Sequence, residues 1–210
     1  MGNKAGRRFL FLLLAVIVFD CILIQWLQPQ EAEETDYYTE KIYEELVCFP
    51  VPESEITEEL TYHYVDSWKA QRTFGGDRQH EGCDIMMSEN QRGIYPVVSM
   101  TDGIIENIGW LRLGGYRLGI RGDSGVYYYY AHMESYAEHL AQGMRVEAGE
   151  FLGFAGDSGY GSEGTTGQFA VHLHVGIYIP DNEKNDYAIN PYPFLQYLEK
   201  RHLMSDYEQP

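Results

Sequence analysis

The sequence predicts a mainly β fold, an antiparallel-sheet domain placed after one N-terminal transmembrane helix. Glycine is frequent, at 22 of 210 residues. From about residue 62, glycine turns separate short apolar and aromatic runs, which is typical of antiparallel strands. These runs cover residues 103–108, 117–121, 126–132, 150–154 and 169–179. Apolar residues after a proline at 191 predict a short helix within residues 192–203.

The predicted transmembrane helix covers residues 9–27, which are nearly all apolar and long enough to cross a bilayer once. Lys4, Arg7 and Arg8 precede it, so the positive-inside rule predicts a cytoplasmic N-terminus and an extracytoplasmic domain. A cleaved signal peptide is the competing interpretation, but no good cleavage site follows the apolar run. A lipoprotein signal ending at Cys21 fits badly because an aspartate precedes the cysteine.

An acidic segment follows the apolar run. Within it, Tyr38, Ile42 and Leu46 recur at helical spacing, which predicts a short amphipathic helix before two prolines break regular structure. We interpret the segment as a stalk, and a docking segment for an envelope protein partner is the alternative. The chain then divides into a cytoplasmic tip with signal-anchor (1–28), an acidic juxtamembrane stalk (29–60), the β-rich domain (61–199) and a C-terminal tail (200–210).

Charge and cysteine content limit the function classes. The net charge is −17, and a surface of this sign repels nucleic acid and anionic cell-wall polymers. We therefore expect no nucleic-acid partner, and we expect the membrane tether to localise the domain. Cys48 and Cys83 would be able to pair in an oxidising compartment. Local strand alternation turns Cys83 away from its neighbour Asp84, so we treat it as a small apolar filler and not as a metal ligand.

Five side chains are candidates for one hydrolytic metal site. They form the pattern HxxxD, then a single histidine, then HxH: His80, Asp84, His132, His172 and His174. Two histidines and one carboxylate suit a catalytic zinc with an open position, and the two other histidines suit acid–base work. The remaining histidines, at positions 63, 139 and 202, match no part of the pattern.

The spacing of these residues has a structural meaning. Residues i and i+2 of a strand share a face, so His172 and His174 point together while the residues between and after them face a core. His80 and Asp84 would lie roughly 13 Å apart on a straight strand. Gly82 allows a bend that would bring them together. A helical i,i+4 arrangement is the other option, which Gly82 and the β-rich surroundings disfavour.

The residue order HxxxD, H, HxH resembles the M23 peptidases of the lysostaphin or LytM type. Further segments resemble that family across roughly residues 70–195. The stretch 94–105 looks like its "pV.A..dG.V" hairpin, 143–153 its "G..V..Gq.iG" segment, 156–159 its "G.tG" turn and 190–195 its closing "NP..yL". The resemblance implies a duplicated-hybrid-motif-like antiparallel domain with the site in a groove. Two stretches depart from the family pattern and would rim that groove, namely a longer turn at 160–168 and an elaborated hairpin tip at 110–115.

The resemblance also implies a function. His80, Asp84 and His174 would hold Zn²⁺, while His132 and His172 would orient and deprotonate water and then assist the oxyanion or the leaving amine. The substrate would be a peptide stem or cross-link of bacterial peptidoglycan, cleaved by a membrane-anchored zinc endopeptidase. The alternative is a membrane-anchored LytM-type scaffold or regulator in envelope remodelling or sporulation. Degenerate ligand sets are typical of that role, so the complete set favours an enzyme.

Overall fold

The protein is seen here as a computed structural model that describes residues 13–14, 16–20, 35–55, 60–181 and 185–205. The chain divides into two compact units, Met1–Glu40 and Lys41–Pro210. Residues 13–14, 16–20 and 35–45 are helical. Within the described part, no helix has both the length and the apolar character that crossing a bilayer requires. Most of the predicted span at 9–27 lies outside the described residues, so it stays a prediction.

The second unit contains short and long strands and a C-terminal helix, Tyr192–Leu198. In chain order the strands are β1 (Glu53–Ser54), β2 (Tyr62–His63), β3 (Gln71–Arg72), β4 (Arg78–Gln79), β5 (Cys83–Met87), β6 (Pro96–Val98), β7 (Gly103–Leu111), β8 (Gly115–Arg121), β9 (Tyr127–Tyr136), β10 (Arg145–Val146), β11 (Phe151–Ala155), β12 (His172–Pro180), β13 (Asp186–Ile189) and β14 (Met204–Ser205).

The main sheet is antiparallel and runs in the order β10-β7-β8-β9-β12-β5-β2. Strand β13 pairs with β12, and β11 connects β9 to β6. The predicted mainly β, antiparallel fold is therefore confirmed. Strand β12 lies between β9 and β5, so the three chain segments that carry the candidate histidines and aspartate are brought side by side.

Alternation along β9 separates a core face from a groove face. Tyr128 and Tyr130 are completely buried, whereas Tyr127 and Tyr129 line an open groove on the other face of the sheet. Burying a large apolar side chain contributes roughly 1.5–3 kcal/mol, so the core-facing tyrosines anchor this strand. The four consecutive tyrosines therefore contribute two side chains to the core and two to the wall of the groove.

Local pairing differs from the sequence-based expectation at one point. Strands β6 and β7 do not form the predicted hairpin, because β6 pairs with β11 and β7 pairs with β8 and β10. Between them Ser99 donates its hydroxyl to the Thr101 carbonyl over 2.6 Å, and its amide bonds the Glu150 carbonyl. This turn redirects the chain, so the partner of β6 is distant in sequence.

The predicted C-terminal helix is present and ends at Leu198, inside the predicted range of 192–203. After its last turn, the Arg201 carbonyl accepts a hydrogen bond from the Phe49 amide. Strand β14 then pairs in parallel with β1. The helix does not continue, because the backbone groups of the residues after it pair with Phe49 and with β1 instead.

Part of the predicted stalk belongs to the second unit. Ile42, Leu46, Phe49 and Val51 are buried, and the Glu45 carboxylate accepts hydrogen bonds from a backbone amide and from a tyrosine hydroxyl of the β8–β9 region. The predicted amphipathic helix is present, and its apolar stripe faces a core. Residues 41–51 are thus not an extended spacer, because burial of this stripe outweighs the acidic composition of the segment.

The two cysteines of the second unit are free thiols, so the disulfide considered from the sequence is not formed. Cys48 donates to the Ser99 carbonyl over 3.3 Å and Cys83 contacts the Val65 carbonyl over 3.5 Å. Burial raises the pKa of Cys48 to about 11 and that of Cys83 to about 12. Cys83 is a buried filler that faces away from the groove, as its strand position predicts.

Candidate metal and catalytic site

Antiparallel pairing places the candidate ligands at one point on the sheet. In the β5–β12 ladder, Asp84 lies directly opposite His174. His172 and His174 both line the groove, while Leu173 and Val175 are completely buried. The predicted division of β12 into a site face and a core face is therefore confirmed.

Three donor atoms from different parts of the chain converge in the groove. His80 Nε2 lies 3.0 Å from Asp84 Oδ1, and His174 Nδ1 lies 2.9 Å from the same oxygen. The two imidazole nitrogens are 3.0 Å apart. Two imidazole nitrogens and one carboxylate oxygen form a three-ligand set that leaves room for a further ligand, which is the donor chemistry of a catalytic zinc. These residues therefore fit the metal that the motif implies.

Neighbouring groups hold the three donors in place. His80 Nδ1 lies 3.1 Å from the Ser67 carbonyl, and because a carbonyl only accepts, Nδ1 carries the proton and Nε2 offers its lone pair to the site. Arg72 donates to Asp84 Oδ2 over 2.9 Å. Burial opposes ionisation of Asp84, but its close interactions with the imidazoles of His174 and His80 outweigh it and hold the pKa of this carboxyl well below its usual range. The carboxylate is therefore ionised and oriented.

Gly82 serves the site in another way than the sequence suggests. Its backbone lies outside the left-handed region, so no special conformational freedom is used. Instead, a Cβ at this position would collide with the His174 ring and lie 2.7 Å from the Val175 carbonyl oxygen. The segment connecting His80 to Asp84 passes against β12 so closely that only a hydrogen atom fits.

Gly82→Ala is expected to weaken zinc binding by about 10- to 100-fold, the range typical of changes that displace a ligand through its neighbours. The added methyl group must push the His174 ring or the Val175 carbonyl aside. Zinc affinity measured by competition with a chelator tests this prediction. Gly143→Ala is the control for backbone strain alone: its φ of 87° makes alanine unfavourable, but its Cβ would meet no atom within 4 Å, so zinc affinity should not change. Equal zinc affinity in the wild type and Gly82→Ala would contradict the close-approach argument.

His132 reaches the groove through a β-bulge. In the β8–β9 ladder, Leu118 pairs with Tyr130 but Tyr116 pairs with Met133, so β9 carries one extra residue between the two pairs. His132 itself has a φ of 62°, in the left-handed region. Bulges re-aim side chains beside functional sites. Here the bulge lets Ala131 and His132 both face the groove, although strict alternation would send His132 into the core.

Both candidate acid–base histidines have a defined tautomer. His132 Nδ1 lies 2.7 Å from the Ser158 carbonyl, and His172 Nδ1 lies 2.8 Å from the Ala170 carbonyl. Each Nδ1 must donate to its carbonyl, so each Nε2 is free to accept a proton. Burial lowers the pKa of both imidazoles, which keeps them neutral near pH 7. The two rings lie 4.7 Å apart between centroids, so both face one reaction space.

The groove that contains the site has a volume of about 880 Å³. Tyr160, at the start of the longer turn, lines it, and so do the residues at the tip of the β7–β8 hairpin. Both departures from the family pattern therefore rim the groove, as expected. The arginines Arg72 and Arg78 of β3 and β4 also line it. The sequence motif did not indicate them, because they lie outside it and on strands of only two residues.

The three histidines outside the motif stay out of the site. His139 bonds Glu150 over 3.0 Å, and the ring of His202 packs against Phe49 and hydrogen-bonds the Tyr62 hydroxyl. His63 is exposed. They are surface or packing residues, as the sequence predicts.

Comparison with solved structures identifies a similar fold in a lytM protein from Ruminococcus gnavus, to which a glycyl-glycine endopeptidase activity is attributed. It is 50% identical in sequence with a TM-score of 0.73, and the match covers 80% of this chain and 66% of that one. The structure of lysostaphin from Staphylococcus simulans matches with 27% identity and a TM-score of 0.50, covering 66% of this chain and 51% of that one.

Among curated proteins, an L-Ala–D-Glu endopeptidase of Bacillus subtilis is 42% identical over 139 residues. The match covers 66% of this chain but only 41% of that relative's length. The glycyl-glycine endopeptidase ALE-1 of Staphylococcus capitis is 31% identical over 119 residues, which cover 56% of this chain and 29% of that protein. The chain thus spans less than half the length of the curated relatives it matches.

A family model described as peptidase family M23 matches residues 78–191. That range is more than half of the chain, and it contains all five candidate side chains. The solved and curated relatives carry peptidase names, in agreement with the enzyme class predicted from the motif. From its sequence pattern, its fold and this match, the chain belongs to peptidase family M23.

Proposed function

We propose that this chain is a zinc-dependent endopeptidase that cleaves peptide stems or cross-links of bacterial peptidoglycan. The observation that carries the proposal is the convergence of His80, Asp84 and His174, with donor atoms 2.9–3.0 Å apart, beside two histidines whose Nε2 atoms are free. His80, Asp84 and His174 would hold the zinc ion. When bound, zinc supplies a Lewis acid for the scissile carbonyl.

The chain's own residues supply the proton transfers. His132 and His172 are neutral and anchored through Nδ1, so their Nε2 atoms would take a proton from the attacking water and return it to the leaving amine. As imidazoliums they would also stabilise negative charge that develops on the carbonyl oxygen. Their backbone anchors prevent ring rotation, which keeps the two bases oriented toward a peptide lying in the groove.

For the scissile bond, we propose the class that the name of the Bacillus subtilis relative gives, an L-Ala–D-Glu bond of the stem peptide. This relative is 42% identical, against 31% for the glycyl-glycine endopeptidase ALE-1. Glycyl-glycine cross-links are the alternative substrate. The two classes differ in charge, since the first carries a free glutamate carboxylate next to the bond.

Digestion of purified peptidoglycan tests the proposal. The purified chain, loaded with zinc, is incubated with peptidoglycan, and the released fragments are identified by mass spectrometry. New N-termini at D-Glu are expected, and new glycine termini from glycine-bridged peptidoglycan would assign the alternative bond. If zinc-loaded protein releases no peptide from either material, the scaffold interpretation replaces the enzyme.

We further infer a single-pass membrane protein with a cytoplasmic N-terminus and an extracytoplasmic catalytic domain. The support is the apolar run at 9–27 and the three basic residues before it. Protease added to intact spheroplasts is expected to remove the domain while cytoplasmic markers survive. A protected domain, or a mature N-terminus near residue 30, would contradict the anchored topology.

A further inference from the structure

Two arginines lie opposite each other in the wall of the groove. Strands β3 and β4 pair so that Arg72 is directly opposite Arg78, and both side chains line the groove. Like charges directly opposite in an antiparallel pair destabilise it unless anions compensate them. Arg72 has such an anion, because it donates to Asp84 Oδ2 over 2.9 Å. For Arg78, the anion that would compensate its positive charge has still to be identified.

Arg78 is oriented by neutral groups. It donates to the Tyr160 hydroxyl over 3.1 Å and weakly to the Phe74 carbonyl over 3.4 Å. The Tyr160 and Phe74 rings are stacked, 4.1 Å apart and almost parallel at 3°. Across residues 35–55, 60–181 and 185–205, no carboxylate lies within ion-pair distance of Arg78. Its guanidinium is thus held in place, and its charge has no counterion among these residues.

Carboxylates outnumber basic side chains in this chain, with 32 Asp and Glu residues against 15 Lys and Arg residues. Arg121 and Arg145, on other parts of the surface, each pair with carboxylates. The groove carboxylates are engaged as well, since Asp84 contacts Arg72 and Glu81 lies 3.5 Å from a lysine. Among the described residues that line the groove, Arg78 and Arg112 are therefore the cations that make no ion pair.

The position of Arg78 relates it to the reaction space. The Tyr160 ring lies edge-on to the His132 ring, with centroids 6.0 Å apart, and the Tyr160 hydroxyl contacts Arg78. Arg78 is thus separated from His132 by one tyrosine side chain. A peptide whose scissile bond lies at the two catalytic histidines would bring a neighbouring residue to this guanidinium.

We propose that Arg78 determines substrate specificity by binding a free carboxylate of the peptide on a residue adjoining the scissile bond. The inference rests on the proposed endopeptidase function and adds to it the chemical class of the recognised group. A guanidinium matches a carboxylate through two parallel N–H···O bonds, which a neutral amide does not reproduce. The tyrosine and phenylalanine that hold Arg78 orient its remaining N–H groups for this contact.

A matched pair of substrates isolates the contact. Two L-Ala–D-Glu peptides are compared, identical except that the free glutamate carboxyl is a carboxylate in one and a primary amide in the other. The wild-type chain is expected to favour the carboxylate about tenfold or more in kcat/KM, since hydrogen bonds to charged groups are the strong ones. Most of the preference should appear in KM, because the contact forms with the bound substrate as well as the transition state.

Arg78→Gln should lower kcat/KM for the carboxylate peptide alone. The ratio of kcat/KM between the two peptides should therefore fall close to one. Arg78→Lys should keep part of the preference, because the positive charge remains but the parallel N–H groups of the guanidinium are lost. Arg145→Gln is the control, since it removes the same charge at an exposed pair with Asp123 away from the groove. Zinc content of each variant, expected to be unchanged, shows that the metal site is intact.

The outcomes separate this inference from the proposed function. Equal cleavage of both peptides by the wild type, or an unchanged preference in Arg78→Gln, overturns the role of Arg78 and leaves the endopeptidase intact. If neither peptide is cleaved, binding of both to the wild-type and Arg78→Gln chains is measured by calorimetry. If the carboxylate peptide binds more tightly and this preference is lost in Arg78→Gln, the contact is supported, although the assigned scissile bond is wrong. If the two peptides bind equally well, the role of Arg78 is overturned.

Discussion

Replacing His174 with alanine is expected to remove zinc from the protein and to abolish peptide hydrolysis. His174 Nδ1, His80 Nε2 and Asp84 Oδ1 form a triangle of donors 2.9–3.0 Å apart. Loss of one donor leaves two ligands, fewer than a catalytic zinc uses. Asp84→Asn should act in the same way, because it keeps the size of the side chain and removes the negative charge that the metal needs.

Metal content after dialysis, measured by inductively coupled plasma mass spectrometry, tests this prediction. The wild type should carry about one zinc per chain, and both variants should carry almost none. His139→Ala is the matched control, since this histidine pairs with Glu150 on the surface outside the groove. Stoichiometric zinc in either ligand variant would refute the assignment of the three ligands.

The second large effect is expected at the two acid–base histidines, which should lose activity while keeping the metal. Their Nδ1 atoms donate to backbone carbonyls, so their Nε2 atoms carry a lone pair, and we propose that these atoms serve proton transfer. Loss of a general acid or base typically costs about 10²–10⁴ in rate. His132→Ala and His172→Ala should therefore lower kcat by that factor with unchanged zinc content.

Peptidoglycan digestion and metal analysis on the same preparations measure both quantities, with His63→Ala, an exposed histidine, as control. If His172→Ala released zinc and His174→Ala retained it, the roles within the HxH pair would be reversed. Wild-type activity in both His132→Ala and His172→Ala would remove the chemical basis of the hydrolase. The complete ligand set would then serve a structural protein.

The geometry also separates binding from catalysis in a way that the variants can resolve. Arg72 and Ser67 touch ligands and orient them, Gly82 gives His174 its space, and Arg78 lies beyond Tyr160. Changes at these four positions should therefore alter metal affinity or substrate preference, while changes at the two proposed acid–base histidines should alter the rate of proton transfer. A single activity assay would merge these effects, so metal content and substrate preference have to be measured together.

Strand alternation and the order of the motif predicted side chains that the structure brings together in one groove. A period of two along β12 fixes that His172 and His174 share a face while Leu173 and Val175 enter the core. Glycine turns between apolar runs likewise predict β7, β8, β9, β11 and β12. These are local properties, because the direction of a side chain on a regular strand depends only on its position in that strand.

Features that depend on contacts between distant segments could not be predicted in this way. The bulge that turns His132 into the groove arises from pairing of β9 with β8, and alternation alone would have placed this side chain in the core. The need for glycine at position 82 comes from β12 passing against it. Likewise, burial of Ile42 and Leu46 within the second unit overrides the acidic composition that suggested a stalk.

The amino-acid sequence by itself determined the mainly β class, the five candidate side chains and the faces on which two of them lie, because residue type and strand period are read directly along the chain. Only the tertiary structure decided that the donor atoms meet at 2.9–3.0 Å and that Arg78 is left without a counterion in the described residues. Both depend on how β3, β4, β5, β9 and β12 are placed beside one another, since a distance between two side chains is set by the pairing of the strands that carry them.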